Sequence, residues 1–516
     1  MNRQLFLLVP FAWVIFNLSA FSQTGPAGVG NSTSNVLWLD AQNSSSLSGS
    51  LVNDDPVTTW SDISGNGNDF IQQGTDAVPI FRNDGLGAGT FNVVRFDGTE
   101  RYLVLADNDD LDLNLDEVTI MGVYFRSSTD GSPRGILSKR TSYGSQMSYY
   151  LFTHTNNELN FAVNTSGNSV LGSNNPAVSG DNLFSVTYNG AQQQIFLGSA
   201  DEGSNSKTGT ISNTTSTFFM GALNNNYGTY FNGELAEVIM FRSALNGAER
   251  LIIENYLADK YGITITNDFF GNYADYDAAY DDDLRAIGTA NGSELHEVSG
   301  YSSGLQLEAT DQLEATNEFA FLAHNAATAH ADGVTANVDG VDVTERWAKD
   351  FYIETSQAGV TDAASIETVF RFDFGEAGLT LTGASTDFVL LYRSTTADDF
   401  TRVFANSYII ENSDQVVVSI PSCRLRSGYY TLGKGTQITT RKWYVLQNGN
   451  WSDSDTWTLD AGSAPIPNNP MDEVPGIEDD VVIRNGKTVT IQSTTNNLTV
   501  ASITVDGTLD LTTSSG

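Results

Sequence analysis

The sequence predicts an all-β chain with one well-formed helix, on three observations. Short apolar–polar runs bounded by Asn, Gly and Ser recur through residues 118–221. A strand followed at once by a capped helix occupies 231–263. From Lys442 onward, short strands alternate with Asp-Gly turns. The length of 516 residues suits roughly three or four domains. An apolar content of 40% is enough for packed cores, and 28 Phe, 20 Tyr and 7 Trp argue against disorder.

The N-terminus reads as a secretory signal over residues 1–22. Arg3 gives the positive start, 5–16 is the apolar run, and Ala20-Phe21-Ser22 precedes Gln23 as the new first residue. That run is too short to span a bilayer comfortably, and no later stretch is long and apolar enough. The expectation is a secreted or cell-surface protein with no membrane span after the signal is removed. Residues 23–34, rich in Gly, Ser and Asn, read as a linker.

Acids outnumber bases 62 to 25, for a net charge of -37, which repels nucleic acid and anionic lipid. The acidity suits divalent cations or solubility alone. The lone cysteine, Cys423, excludes an intrachain disulfide, so the folds hold by burial; in a strand-like setting it reads as a small buried hydrophobe.

The first domain begins with the strand Val36-Leu37-Trp38-Leu39. The segment TTWSDISGNGNDF (58–70) follows, and its stretch from Asp62 to Asp69 is a tight loop rich in oxygen ligands. VVRFDGTERYLVL (93–105) is a hairpin around Asp97-Gly98. Further strands are expected at 118–125, 135–138, 149–152, 159–163, 183–188, 194–197 and 218–221. Strict alternation in the closing strand puts Leu235, Glu237, Ile239 and Phe241 on one face and Ala236, Val238 and Met240 on the other. Both faces are apolar except at Glu237, which predicts cover on both sides. In the helix, Asn246 is placed to cap, Glu249 to complete a capping box, and Gly262 to stop the helix in the left-handed conformation. Leu245, Ile252 and Tyr256, with Ile253 and Leu257, recur at helical spacing.

The words FNGELAEVIMF, SALNGAER and IENYLADKYGI resemble the closing strand and helix of laminin-G-like (concanavalin A-like) jelly-roll domains in secreted bacterial proteins. The segments around Asp62 and Asp97 recur in that family in the same order ahead of them. The resemblance implies a two-sheet jelly roll over 35–264 with a short C-terminal helix. It implies a habit of binding and gives no reaction. Residues 265–345 resemble a β-rich accessory module that follows such domains, and 346–436 read as a β-sandwich module. Residues 437–516 resemble the opening rungs of a right-handed parallel β-helix. A solenoid needs several rungs to bury its core, so the expectation is that this sequence is a piece of a longer chain.

Candidate chemistry follows from these placements. Asp62, Asn66, Asn68 and Asp69 offer carboxylate, amide and backbone oxygens for calcium, with Glu237 completing the shell. Related jelly rolls often hold calcium in such a loop. The competing reading is an Asx-rich turn satisfied by its own backbone. The acidic groups around Asp107–Asp112 and Asp275–Asp283 lack EF-hand spacing and read as solvated loops.

Catalytic signals are weak. Gly300-Tyr301-Ser302-Ser303-Gly304 matches a nucleophile-elbow pattern on paper but sits in an all-β region. The four histidines show no paired-ligand spacing. Glu234 and Glu237 are expected on opposite strand faces, a poor acid/base pair. For sugar binding, aromatic rings and amides in LNNNYGTYFNG point to Asn225, Tyr227 and Tyr230, with Tyr143, Tyr149 and Tyr150 as further rings. The leading expectation is a non-catalytic binding or adhesion protein whose jelly roll takes carbohydrate or another surface ligand, with calcium as a possible helper. The alternative is the targeting part of a polysaccharide-degrading enzyme whose catalytic β-helix lies beyond Gly516.

Overall fold

The computed structural model describes residues 23–512 apart from 112–115, 127–130, 143–145, 177–178, 225–228, 312, 314, 358–359, 362–365, 421–424, 439–441, 454–455, 459–473, 476–478, 493–499 and 501. The secretory segment, Tyr143, Asn225, Tyr227 and Cys423 therefore lie outside the described residues. Among the described residues the chain is all-β with a single long helix, as its sequence predicts.

Two eight-stranded antiparallel sheets form the first sandwich. In the first sheet, Asn232–Phe241 lies in the middle, between Val118–Arg126 and Phe91–Asp97, and the opening strand Asn35–Asp40 also pairs with it. The second sheet runs from Asn168–Pro176 through Gln146–Thr153 and Arg134–Ser142 to Leu103–Leu105 and Thr59–Trp60. Their facing sides pack Trp60, Phe70, Phe96, Tyr124, Tyr149, Phe161 and Phe218 into one core.

The strand Asn232–Phe241 departs from strict alternation. Leu235 sits opposite Tyr124 and Glu237 opposite Val123, so Ala236 is an extra residue, a β-bulge. The bulge reverses the faces. Leu235, Val238 and Met240 enter the core between the sheets, whereas Ala236, Ile239 and Phe241 face outward. This corrects the expectation that Leu235 shares a face with Ile239 and Phe241. It also corrects the expectation for the two acids. Glu234 reaches the backbone of Leu86 and Glu237 reaches the helix, so both leave the strand on the outer side.

That outer side is covered by α1 (Gly247–Tyr261). Asn246 accepts from the backbone N–H of Ala248 and Glu249, and Glu249 accepts in return from the N–H of Asn246. Gly262 ends the helix at φ 62°, a conformation that favours glycine. The helix is apolar on more than one face because it is a middle layer. Leu251, Ile252, Ile253 and Leu257 share one cluster with Met121, Val123 and Ile239 of the first sheet and with Phe319, Phe321, Tyr352 and Tyr429 beyond the helix. Glu254, buried on this helix, is met by Arg250 at 2.6 Å and by the Ser185 hydroxyl at 2.7 Å.

The residues beyond α1 build a second sandwich. Its nine-stranded sheet includes Asp282–Asn291, Thr316–His324, Phe351–Gln357 and Gly428–Gly435, and a four-stranded sheet faces it. Residues from 265–345 and from 346–436 contribute to both of these sheets and to one core of Leu305, Leu307, Phe351, Phe370, Phe372 and Tyr430. In the last region the pairing turns parallel. Lys442–Val445, Asp480–Ile483 and Ser502–Val505 form one ladder; Gly449–Asn450, Thr488–Gln492 and Thr508–Thr512 form another. Trp443, Trp451, Trp457, Val481 and Val489 fill the space they enclose.

Because α1 is packed on both sides, trimming it should affect the whole body. Ile252→Ala is expected to lower stability by about 2–5 kcal/mol, and Asn246→Ala by about 1 kcal/mol. Chemical denaturation followed by intrinsic fluorescence measures both.

Candidate functional site

Three places on the first sandwich gather polar chemistry: the loop 62–69, a clasp between α1 and the sheet, and a cleft at the sheet edge.

In the loop, Asp62 is the hub. Its Oδ1 accepts from the N–H of Trp38 and of Ser64, each at 2.9 Å. Its Oδ2 accepts from the Ser64 hydroxyl at 2.8 Å and the Asn68 N–H at 3.0 Å. Asp69 accepts from the N–H of Asp62 at 2.8 Å. The amide groups of Asn66 and Asn68 donate to the carbonyls of Asn35 and Val36. The loop is thus pinned to the opening strand by its own side chains, and a cation here would have to displace the four donors on Asp62. Glu237 belongs to a different constellation. Among the described residues, no three His, Cys, Asp or Glu side chains gather to hold a metal.

Glu237 sits in the clasp, fully buried. It lies directly across the sheet from Asp40, an arrangement of like charges that is unfavourable by itself. Lys260 resolves it, with Nζ 2.7 Å from Asp40 Oδ2 and 2.6 Å from Glu237 Oε2. Helical spacing brings Tyr256 and Lys260 to one side of α1, and Tyr261 lies beside them. Glu237 accepts from the Trp38 indole at 2.7 Å, the Tyr256 hydroxyl at 3.1 Å and the Tyr261 hydroxyl at 2.9 Å. Burial pushes the Glu237 carboxyl above the usual range, and the Lys260 ammonium pulls against it. Breaking one partner out of such a buried pair costs about 3–5 kcal/mol.

The cleft opens where the loop after the opening strand meets the sheet edge. It has a volume of about 210 Å³ and is lined by Gln42, Ser44, Ser50, Asn83 and Asn92 over Leu47, Leu51 and Phe81. Among the described residues, no carboxylate lines it. Gln42 Oε1 accepts from the Asn92 N–H at 3.3 Å, which holds the loop against the strand Phe91–Asp97. Among the described residues, the side-chain amides of Asn83 and Asn92 make no hydrogen bond, so they are open to a ligand. Pockets for drug-sized ligands run to about 300–1,000 Å³; this one suits a single small polar ring.

Of the aromatic residues expected to bind sugar, Tyr149, Tyr150 and Tyr230 are among the described residues. Tyr149 is in the core, its hydroxyl donating to the Leu111 carbonyl at 2.8 Å. Tyr150 lies on the outer face of the second sheet, with the Arg140 guanidinium 5.0 Å above its ring and Asn168 donating to its hydroxyl at 3.0 Å. Tyr230 stacks on Tyr102 at 6.1 Å and is only 5% exposed, so its ring faces a neighbour and not solvent. The elbow-like segment is a hairpin in which Ser302 and Leu305 exchange backbone hydrogen bonds around Ser303-Gly304. Glu234 is paired with Arg95.

Residues 97–249 match the family model described as the concanavalin A-like lectin/glucanases superfamily. The first domain is a concanavalin A-like jelly roll. Among solved structures, this chain is similar to a Ruminococcus gnavus sialidase CBM40 bound to α2,6-sialyllactose, at 16% identity over 27% of this chain and 83% of that one, TM-score 0.24. Domain 4 of a Geobacillus stearothermophilus extracellular arabinanase, in complex with arabinotriose, is 10% identical over 39% of this chain and 98% of that one, TM-score 0.29. The receptor-binding domain of botulinum neurotoxin C/D mosaic serotype is 10% identical over 78% and 97%, TM-score 0.33. No curated protein matches the chain.

The acids that border α1 set a pH dependence. Asp259 is pushed up to about 7, first by burial and then by Asp281, Asp268 and Glu354. Glu354 is pushed up to about 7 by burial, against the N–H groups of Gly271 and Asn272 and the Tyr352 hydroxyl. In an unfolded chain both ionise near about pH 4. The folded chain therefore binds more protons between those values, and its stability falls as pH rises through that window. The melting temperature is expected to be lower at about pH 8 than at about pH 5.5, and Asp259→Asn should flatten the dependence.

Proposed function

We propose that the jelly roll is a non-catalytic carbohydrate-binding domain and that the cleft holds one sugar unit of an extracellular glycan. The observation that carries this reading is the cleft's lining: amides and hydroxyls above an apolar floor, with no carboxylate among the described residues. Sugar hydroxyls are satisfied by such groups, whereas hydrolysis needs a pair of acids about 5–9.5 Å apart across the bond. The two acids nearest in sequence to a catalytic pair are spent elsewhere, Glu234 on Arg95 and Glu237 on Lys260.

Export fits the apolar N-terminal stretch and the acidic, nearly cysteine-free composition, and no described helix is long and apolar enough to cross a membrane. Calcium at the loop 62–69 is a proposal on residue types alone.

A glycan screen on the full chain, run with calcium and with EDTA, tests these readings together. Binding is expected to a glycan whose affinity falls about tenfold in Asn83→Ala and in Asn92→Ala, the loss of one hydrogen bond each. Silence on every glycan, or affinity untouched by both changes, would remove the cleft. Equal melting and binding in EDTA and calcium would remove the ion.

A further inference from the structure

The clasp also places a lysine amine against a carboxyl in surroundings suited to condensation. Lys260 Nζ stands 2.7 Å from Asp40 Oδ2 and 2.6 Å from Glu237 Oε2. Asp40 is 5% exposed and Glu237 fully buried. The Trp38 indole and the Tyr256 and Tyr261 hydroxyls all donate to Glu237 and fix its orientation. The rings of Tyr256 and Tyr261 lie 5.1 and 5.3 Å from Nζ and restrict water around it. Asp40 Oδ1 accepts the N–H of Gln42 at 2.9 Å. We propose that Lys260 and Asp40 join through an intramolecular amide bond, with Glu237 as the proton carrier, so that the closing helix is covalently tied to the opening strand.

Each part of the reaction has its group in place. A proton moves from Nζ to Glu237 across 2.6 Å, leaving a neutral amine and a neutral acid. Burial opposes both charges, whereas the carboxylates of Glu237 and Asp40 hold the ammonium protonated, so this neutral pair is the minor state from which attack occurs. The Nζ lone pair attacks Cγ of Asp40, whose carboxyl must carry one proton for Oδ2 to leave as water. Charge gathers on Oδ1, where the Gln42 N–H already points, as a preorganised donor should. The second Nζ proton passes through Glu237 to Oδ2, the C–O bond breaks, and Oδ2 departs as water. The balance is amine plus carboxylic acid giving amide plus one water, with no oxidant or cofactor. Asp40 and not Glu237 is the acylating partner, because both Glu237 oxygens are held by hydroxyl and indole donors, while Asp40 Oδ2 faces the lysine.

The bond would span 220 positions of sequence, in a chain whose lone cysteine rules out an intrachain disulfide. It stands apart from the sugar-binding reading and tests separately from it.

Intact-mass spectrometry of the folded full chain decides the matter. The expected mass is one water below that of the sequence from the observed N-terminus. Digestion should then release a branched peptide joining the segments that contain Lys260 and Asp40. Lys260→Arg and Glu237→Gln should each restore the full sequence mass. A wild-type chain at full mass overturns the proposal, and so does a lost water that maps elsewhere, such as Asp97-Gly98. The wild-type measurement stands even if a variant fails to fold.

Discussion

Two carboxylates face each other across neighbouring strands in the middle of this molecule, and one lysine makes that tolerable. Asp40 and Glu237 are cross-strand partners. Without a cation between them, both would be left in a low-dielectric site with their charges opposed. Lys260 reaches them only because α1 lies flat on the sheet with its last turn above the opening strand. The contact therefore fixes three things at once: the register of the first strand, the seat of the helix, and the direction in which the chain leaves for the second sandwich.

The rest of the architecture follows from α1 being a layer. A helix on the outside of a jelly roll would need one apolar stripe. This helix has apolar residues on more than one side, because the second sandwich closes over it with Phe319, Phe321, Tyr352 and Tyr429. One consequence concerns binding. The outer face of the first sheet is occupied by the molecule itself, so a ligand must use the rims or the other sheet. The cleft is such a rim, and it adjoins the clasp directly: Gln42 lines the cleft while its N–H holds Asp40.

Much of the fold was legible in the residues. The cap at Asn246, its reciprocal Glu249 and the left-handed Gly262 are local features, and local features are written in local sequence. The doubly covered closing strand was legible from its apolar faces. The bulge at Ala236 was not, because nothing in the run of side chains marks an extra residue, and a shift of one reverses every side chain. The clasp left a trace that could have been followed. Glu237 is the one charge in an otherwise apolar stretch, and a buried charge demands an opposite one; Lys260 on the covering helix was the nearest candidate. The cleft left none. Gln42, Asn83 and Asn92 are single polar residues in separate segments, and only tertiary structure brings them together. Tyr230 shows the reverse: its composition suits sugar stacking, yet packing against Tyr102 takes the ring.

The helix α1 is a structural layer of the jelly roll, bound into it through Lys260, and not an appendage. Native-state hydrogen exchange resolved by residue tests it most directly. The amides of 247–261 should exchange as slowly as those of 35–40 and 232–241, and all three should open together. Rapid exchange of the helix over sheets that stay protected would contradict the account.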